Sequence, residues 1–87
     1  MADNSTYTDI FMEKIAEKLN GMILPYKDIV SRDIHIECGG YPGPNHRMPQ
    51  CCDAMYKMMA GDDEVLSAPP SGKGAYVMVR YYKRNHR

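Results

Sequence analysis

His46-Arg47-Met48-Pro49-Gln50-Cys51-Cys52-Asp53-Ala54-Met55-Tyr56-Lys57-Met58-Met59-Ala60 reads as a helix stopped by Gly61, and this stretch decides the fold. Pro49 suits a first helical turn, so His46 to Met48 form the entry. Met48, Cys52, Met55 and Met59 recur at helical spacing and share one apolar face. Arg47, Gln50, Ala54 and Lys57 share another. After Gly61, Asp62-Asp63-Glu64 leads into a short strand at Val65-Leu66, and Ser67-Ala68-Pro69-Pro70-Ser71-Gly72-Lys73-Gly74 forms a turn. Ala75 to Tyr82 is the best strand in the chain, rich in β-branched and aromatic residues. Val77, Val79 and Tyr81 fall on one of its faces; Tyr76, Met78, Arg80 and Tyr82 fall on the other. The whole piece is a helix followed by a hairpin.

N-terminal to this unit, Gly39-Gly40-Tyr41-Pro42-Gly43-Pro44-Asn45 is the clearest loop. Before it, Thr8 or Asp9 is expected to cap a helix running to about Leu19, with Asn20-Gly21 as its end. Phe11, Ile15, Leu19 and Met22 form its core-facing stripe. On its polar side Lys14–Glu17 is the opposite-sign neighbour pair, whereas Glu13–Glu17 and Lys14–Lys18 are like-charge pairs. Met22-Ile23-Leu24 is a candidate short strand. Pro25 then suits the first turn of a second helix from Tyr26 to about Asp33, with Tyr26, Ile29 and Val30 inward. Ile34-His35-Ile36-Glu37-Cys38 alternates apolar and polar residues, which fits either a short strand or a continued helix.

The order helix, short strand, helix, helix, two-stranded wing resembles the winged helix-turn-helix superfamily. The resemblance covers nearly the whole chain at the level of pattern. Its best part runs from Ala54 to Arg80, with a Met-rich helix end, a Gly-Asp stop and the Pro-Ser-Gly-Lys-Gly turn. The expected fold is therefore an α+β winged helix, with three helices, a C-terminal two-stranded β-hairpin wing and room for a short third strand. It would form one domain over residues 1–87, with 1–7 disordered and 83–87 a basic tail. The loop before the third helix departs from the compact motif, whose turn is roughly three to four residues. In the family the third helix enters the major groove and the wing touches phosphate or the minor groove. Carried over, the resemblance implies that Arg47, Gln50 and Lys57 face the groove and Lys73 sits on the wing. His46, Arg80, Lys83 and Arg84 complete the expected DNA-binding set.

Chemistry supports that expectation in part. Arg and Gln read base edges bidentately, and Lys is the usual phosphate contact. Asp53 lies near the same face and would repel phosphate. Eleven Lys and Arg balance eleven Asp and Glu, so the basic excess of a typical DNA binder is absent. The charge is nevertheless uneven: beyond Glu64 the chain has Lys73, Arg80, Lys83, Arg84 and Arg87 and no acidic residue. The competing readings are an ordinary solvated helix face and a flexible hairpin tip. A protein-interaction module, an inhibitor or adaptor, or a homodimer is the alternative function, using Tyr76, Met78 and Tyr82.

The chain has 87 residues, enough for one small core, and 44% hydrophobic content suits a folded domain. No apolar run approaches a membrane span, and the polar start does not read as a signal peptide, so a cytoplasmic location without membrane association is expected. Cys38, Cys51 and Cys52 are expected to be free thiols, with Cys51 or Cys52 in the core. His35-Ile36-Glu37-Cys38 has a ligand-pair spacing, but His46, Cys51 and Cys52 do not complete a regular zinc pattern. Lys73 lacks the spacing of a phosphate-binding P-loop: Ser67 stands where the distal glycine belongs and Gly74 follows the lysine. Cys38 has no assigned base, and no catalytic signature is recognised. Neither a cofactor nor a metal is expected, and the chain is not expected to be an enzyme.

Overall fold

The computed structural model describes residues 4–39, 43 and 46–83, with side chains from Tyr7 onward. It is an α+β domain of three helices and a three-stranded antiparallel sheet. In chain order the elements are α1 (Asn4–Leu19), β1 (Tyr26–Val30), α2 (Ser31–Cys38), α3 (Met48–Met58), β2 (Glu64–Ser67) and β3 (Met78–Tyr82).

The apolar stripe of α1 behaves as its spacing dictates. Phe11, Ile15 and Leu19 are buried, and Met22 packs against the same core. Lys14 and Glu17 form the expected ion pair at 3.6 Å. The helix begins at Asn4, earlier than a cap at Thr8 or Asp9 and inside the stretch expected to be disordered. Tertiary contact gives the reason. Thr8 is buried and Tyr7 packs on the core, so the first turns are held by other elements and need no local cap.

The second element differs from expectation. Tyr26–Val30 is a strand, not a helix, and the extra strand lies here and not at Met22–Leu24, which is loop. Ile29 and Val30 are β-branched, and β3 offers a complete partner: Lys27 opposes Tyr81 and Ile29 opposes Val79. That pairing outweighs the local preference of Pro25 to start a helix. Of the residues expected inward, only Ile29 is buried; Tyr26 is exposed and Val30 half-buried. Ile34 to Cys38 belong to α2, which settles their ambiguity in favour of helix. No side chain caps α2. Its first amides find backbone acceptors instead: Ser31 N–H donates to the Val77 carbonyl at 2.8 Å, and Arg32 N–H to the Ala75 carbonyl at 2.9 Å.

The sheet order is β1-β3-β2. Val77, Val79 and Tyr81 point inward and are fully buried, as the alternation requires. They meet Met48, Cys52 and Met55 of α3, together with Ile15 and Ile34, in one core. Fully burying an aliphatic side chain contributes about 1.5–3 kcal/mol, so this cluster dominates stability. The Tyr81 hydroxyl donates to the Met55 carbonyl at 2.7 Å, which satisfies its one polar atom inside the core. The outer sheet face carries an ionic row. Arg80 lies between Asp28 and Glu64 in the strand register and makes a forked contact to the Asp28 carboxylate at 2.8 and 3.0 Å.

Candidate nucleic-acid interface

The helix α3 turns by about 100° per residue. Its buried arc holds Met48, Cys51, Cys52, Ala54 and Met55. Ala54 therefore does not share an exposed face with Arg47, Gln50 and Lys57: a stripe four residues wide at that spacing curls back into the α1 contact. The outward arc consists of Pro49, Asp53 and Lys57, with half-buried Gln50 at its margin.

Arg47 is half-buried. Its guanidinium stacks over the Tyr7 ring of α1, 4.5 Å from the centroid, and its backbone N–H donates to His35 Nε2 at 2.8 Å. It joins α1, α2 and the start of α3. His35 is buried at this joint, 4.9 Å from the Phe11 ring. Its Nε2 accepts the Arg47 N–H.

The ten residues between β2 and β3 (68–77) fold back along α3. Each of three neighbouring α3 residues holds them. The Cys52 thiol donates to the Gly74 carbonyl at 3.2 Å and accepts from the Gly74 amide at 3.3 Å. Asp53 pairs with Lys73 at 3.1 Å. The Tyr56 hydroxyl donates to the Gly72 carbonyl. Ser31 adds a 2.6 Å bond from its hydroxyl to the Gly74 carbonyl, and the Cys51 thiol lies 3.4 Å from the Ser31 carbonyl. Gly72 supplies the positive φ of 81° that this turn requires. At Gly74 a β-carbon would stand 3.2 Å from Pro69 Cγ, so the close approach favours glycine there too.

This folding-back creates a shallow groove of about 300 Å³ between the start of α3 and the β2–β3 connection, lined by His46, Met48, Pro49, Lys73, Gly74 and Ala75. His46 and Lys73 thus reach one surface from distant parts of the chain. The groove sits at the positive end of the α3 dipole, and the first turn of α3 contains no acidic residue. His46 Nδ1 accepts the Met48 N–H at 3.3 Å, which orients the ring.

The other expected contacts lie elsewhere. Arg80 is on the outer sheet face, paired with Asp28 and stacked over Tyr26 at 4.1 Å. Lys83 ends the β1–β3 ladder, its N–H donating to the Pro25 carbonyl at 2.8 Å, at the end of β3 away from the β2–β3 connection. Arg84 lies outside the described residues. The sequence reading missed Tyr7, Ser31 and Tyr56 as positioning residues. Their partners are backbone carbonyls or a side chain far along the chain, and no local motif signals them.

The thiols are protected. Burial pushes the Cys51 thiol far up, and burial likewise raises Cys52, against the opposing Gly74 hydrogen bond. Burial also raises half-buried Cys38. Neutral thiols are poor nucleophiles and poor metal ligands. Among the described residues no three His, Cys, Asp or Glu side chains converge on a metal position. No helix among them is long and apolar enough to cross a membrane. No family model, curated protein or solved structure matches this chain.

Proposed function

We propose that this chain is a winged-helix domain that binds duplex DNA, with α3 and the wing forming one contact surface. The single observation that carries the reading is the convergence of His46 and Lys73 in a groove at the N-terminal end of α3. A phosphate there meets the helix dipole and a lysine together. Lys57 on the outward arc supplies a second phosphate contact. Gln50 at its margin is the candidate base reader. The element order and the β1-β3-β2 strand order support the winged-helix reading, because they set the β2–β3 connection beside the third helix. Arg47 and Arg80 act within the fold on this reading, so the footprint is smaller than the basic residues alone suggest. Binding is correspondingly weak and steeply salt-dependent, and no catalysis or cofactor is required.

The test is duplex binding against salt for the wild type, Lys57→Ala with Lys73→Ala, and Asp53→Asn. The double variant should lose affinity and reduce the slope of log affinity against log salt by about 2. Asp53→Asn removes a like charge from phosphate and frees Lys73, so it should tighten binding severalfold. Absence of duplex binding at low salt, or an unchanged slope in the double variant, overturns the proposal.

A protein-binding role is the second reading, favoured by exposed Tyr76 in the connection before β3 and by half-buried Met78 and Tyr82 on the outer sheet face. Loss of a specific cellular partner on Tyr76→Ser with Met78→Ser, with DNA binding unaffected, would select it.

A further inference from the structure

The sheet has two edges, and they are not alike. At β2 a bulge between Val65 and Ser67 breaks the regular ladder, which blunts that edge. At β1 the ladder to β3 is unbroken from Tyr26 to Val30. Its hydrogen bonds have a fixed phase. Lys83 N–H donates to the Pro25 carbonyl and Ser31 N–H to the Val77 carbonyl, so the odd-numbered residues of β1 face β3. The amides and carbonyls of Tyr26 and Asp28, and the amide of Val30, are therefore directed away from the sheet.

The start of this edge adjoins a groove of about 370 Å³, lined by Lys18, Asn20, Gly21, Met22, Ile23, Leu24, Tyr26 and Lys27. Ile23 is 88% exposed and Leu24 67%, the two most solvent-accessible large aliphatic side chains among the described residues. Their burial by solvent-facing loop geometry alone is not achieved, so a large apolar area waits beside a strand edge. The only ionisable side chains in the groove apart from Tyr26 are Lys18 and Lys27; it has no carboxylate. Lys18 is paired with Glu37. Lys27 has no ion pair among the described residues, and its stem lies along the groove wall.

We infer that the β1 edge and this groove receive an extended segment of a partner protein that carries an acidic residue beside a large aliphatic one. The segment adds as a fourth strand: its backbone pairs with Tyr26 and Asp28, its aliphatic side chain covers Ile23 and Leu24, and its carboxylate meets Lys27. Strand addition of this kind draws affinity from the main chain and specificity from alternate side chains. Farther along the same edge Asp28, Asp33 and Glu37 line a second groove of about 380 Å³, where Arg80 holds Asp28 and Lys18 holds Glu37, so the acidic residue is placed at the Lys27 end and not beyond it. The surface is separate from the α3 and wing surface, so the inference stands or falls independently of DNA binding.

The test is panning of phage-displayed random dodecapeptides against the full chain, followed by binding of one synthesised enriched peptide. Enriched sequences should place Asp or Glu next to Leu or Ile. The peptide should protect the Tyr26 and Asp28 amides from hydrogen exchange. Leu24→Ser with Lys27→Glu, two exposed positions that leave the core intact, should weaken it by about tenfold or more. No enrichment, enrichment of peptides without an acid, or unchanged affinity in the double variant overturns the inference. Two further outcomes also overturn it: a concentration-dependent dimer lost in the double variant assigns the edge to a second copy, and binding to phosphatidylglycerol vesicles through Leu24 assigns it to a lipid surface.

Discussion

Cys52→Ala removes the sulfur that ties the β2–β3 connection to α3. In the folded protein that thiol donates to the Gly74 carbonyl and accepts from the Gly74 amide. Sulfur is a weak partner, so the bonds themselves contribute little. Two other losses dominate. Deleting one heavy atom from a fully buried site costs about 1 kcal/mol. Leaving the part-buried Gly74 N–H without its acceptor costs about 1–2 kcal/mol more. The sum, about 2–3 kcal/mol, corresponds to roughly 10–20 °C in Tm for a domain of this size. Cys51→Ala is the matched control. It loses the same atom from an equally buried site; its thiol donates to the Ser31 carbonyl at 3.4 Å but accepts from no backbone amide that its loss would strand. Its expected cost is about 1 kcal/mol. Cys52→Ser keeps a donor and an acceptor and should fall between the two. The assay is urea and thermal unfolding of all three variants, with trypsin cleavage after Lys73 as the local readout. Cys52→Ala should accelerate that cleavage more than global stability explains, and Cys51→Ala should not. Equal destabilisation by the two alanine variants, or unchanged cleavage in Cys52→Ala, refutes the argument that Gly74 is held by Cys52.

Two predictions concern pH. The hydrogen bond from Arg80 holds the Asp28 carboxyl below its ordinary value of 3.8. The stabilisation is present above that value and is lost as pH falls through the lower folded one. Asp28→Asn should therefore lower Tm near neutrality and converge with wild type in strong acid; a constant difference across the range counts against the pair. At the alkaline end, burial holds the Cys51 and Cys52 thiols above their ordinary 9.0. Their contribution is complete below pH 9.0 and declines as pH rises toward the folded values, because the unfolded thiols ionise first. The urea midpoint should drop above that pH, less steeply in Cys52→Ser, and a midpoint with identical alkaline slopes in both proteins excludes this cause.

Local pattern carried much of the architecture. The stripe Phe11, Ile15 and Leu19 predicted α1, the Met48 to Met59 spacing predicted α3, and the alternation of Val77, Val79 and Tyr81 predicted the inward face of the last strand. These are one-dimensional signals, because a helix or strand repeats its buried side at a fixed period. Free thiols were expected from the odd cysteine count, with one of Cys51 and Cys52 in the core; the structure buries both. The strand at Tyr26–Val30 was not. Its partner lies about fifty residues away in β3, and nothing nearby marks the pairing.

The candidate site divides along the same line. Sequence alone named His46, Gln50, Lys57 and Lys73 as polar or basic groups on a helix and a turn, and it flagged Asp53 as their opponent. Only the tertiary structure decided which of them meet. The β2–β3 connection folds back because Gly74 fits against Cys52 and Ser31, and that packing sets Lys73 beside Asp53 and His46. It also withdrew Arg47 to the Tyr7 ring and Arg80 to Asp28. A residue's charge is fixed by its identity, but whether that charge faces solvent or a neighbour depends on which distant segments pack together, and no local periodicity encodes that choice.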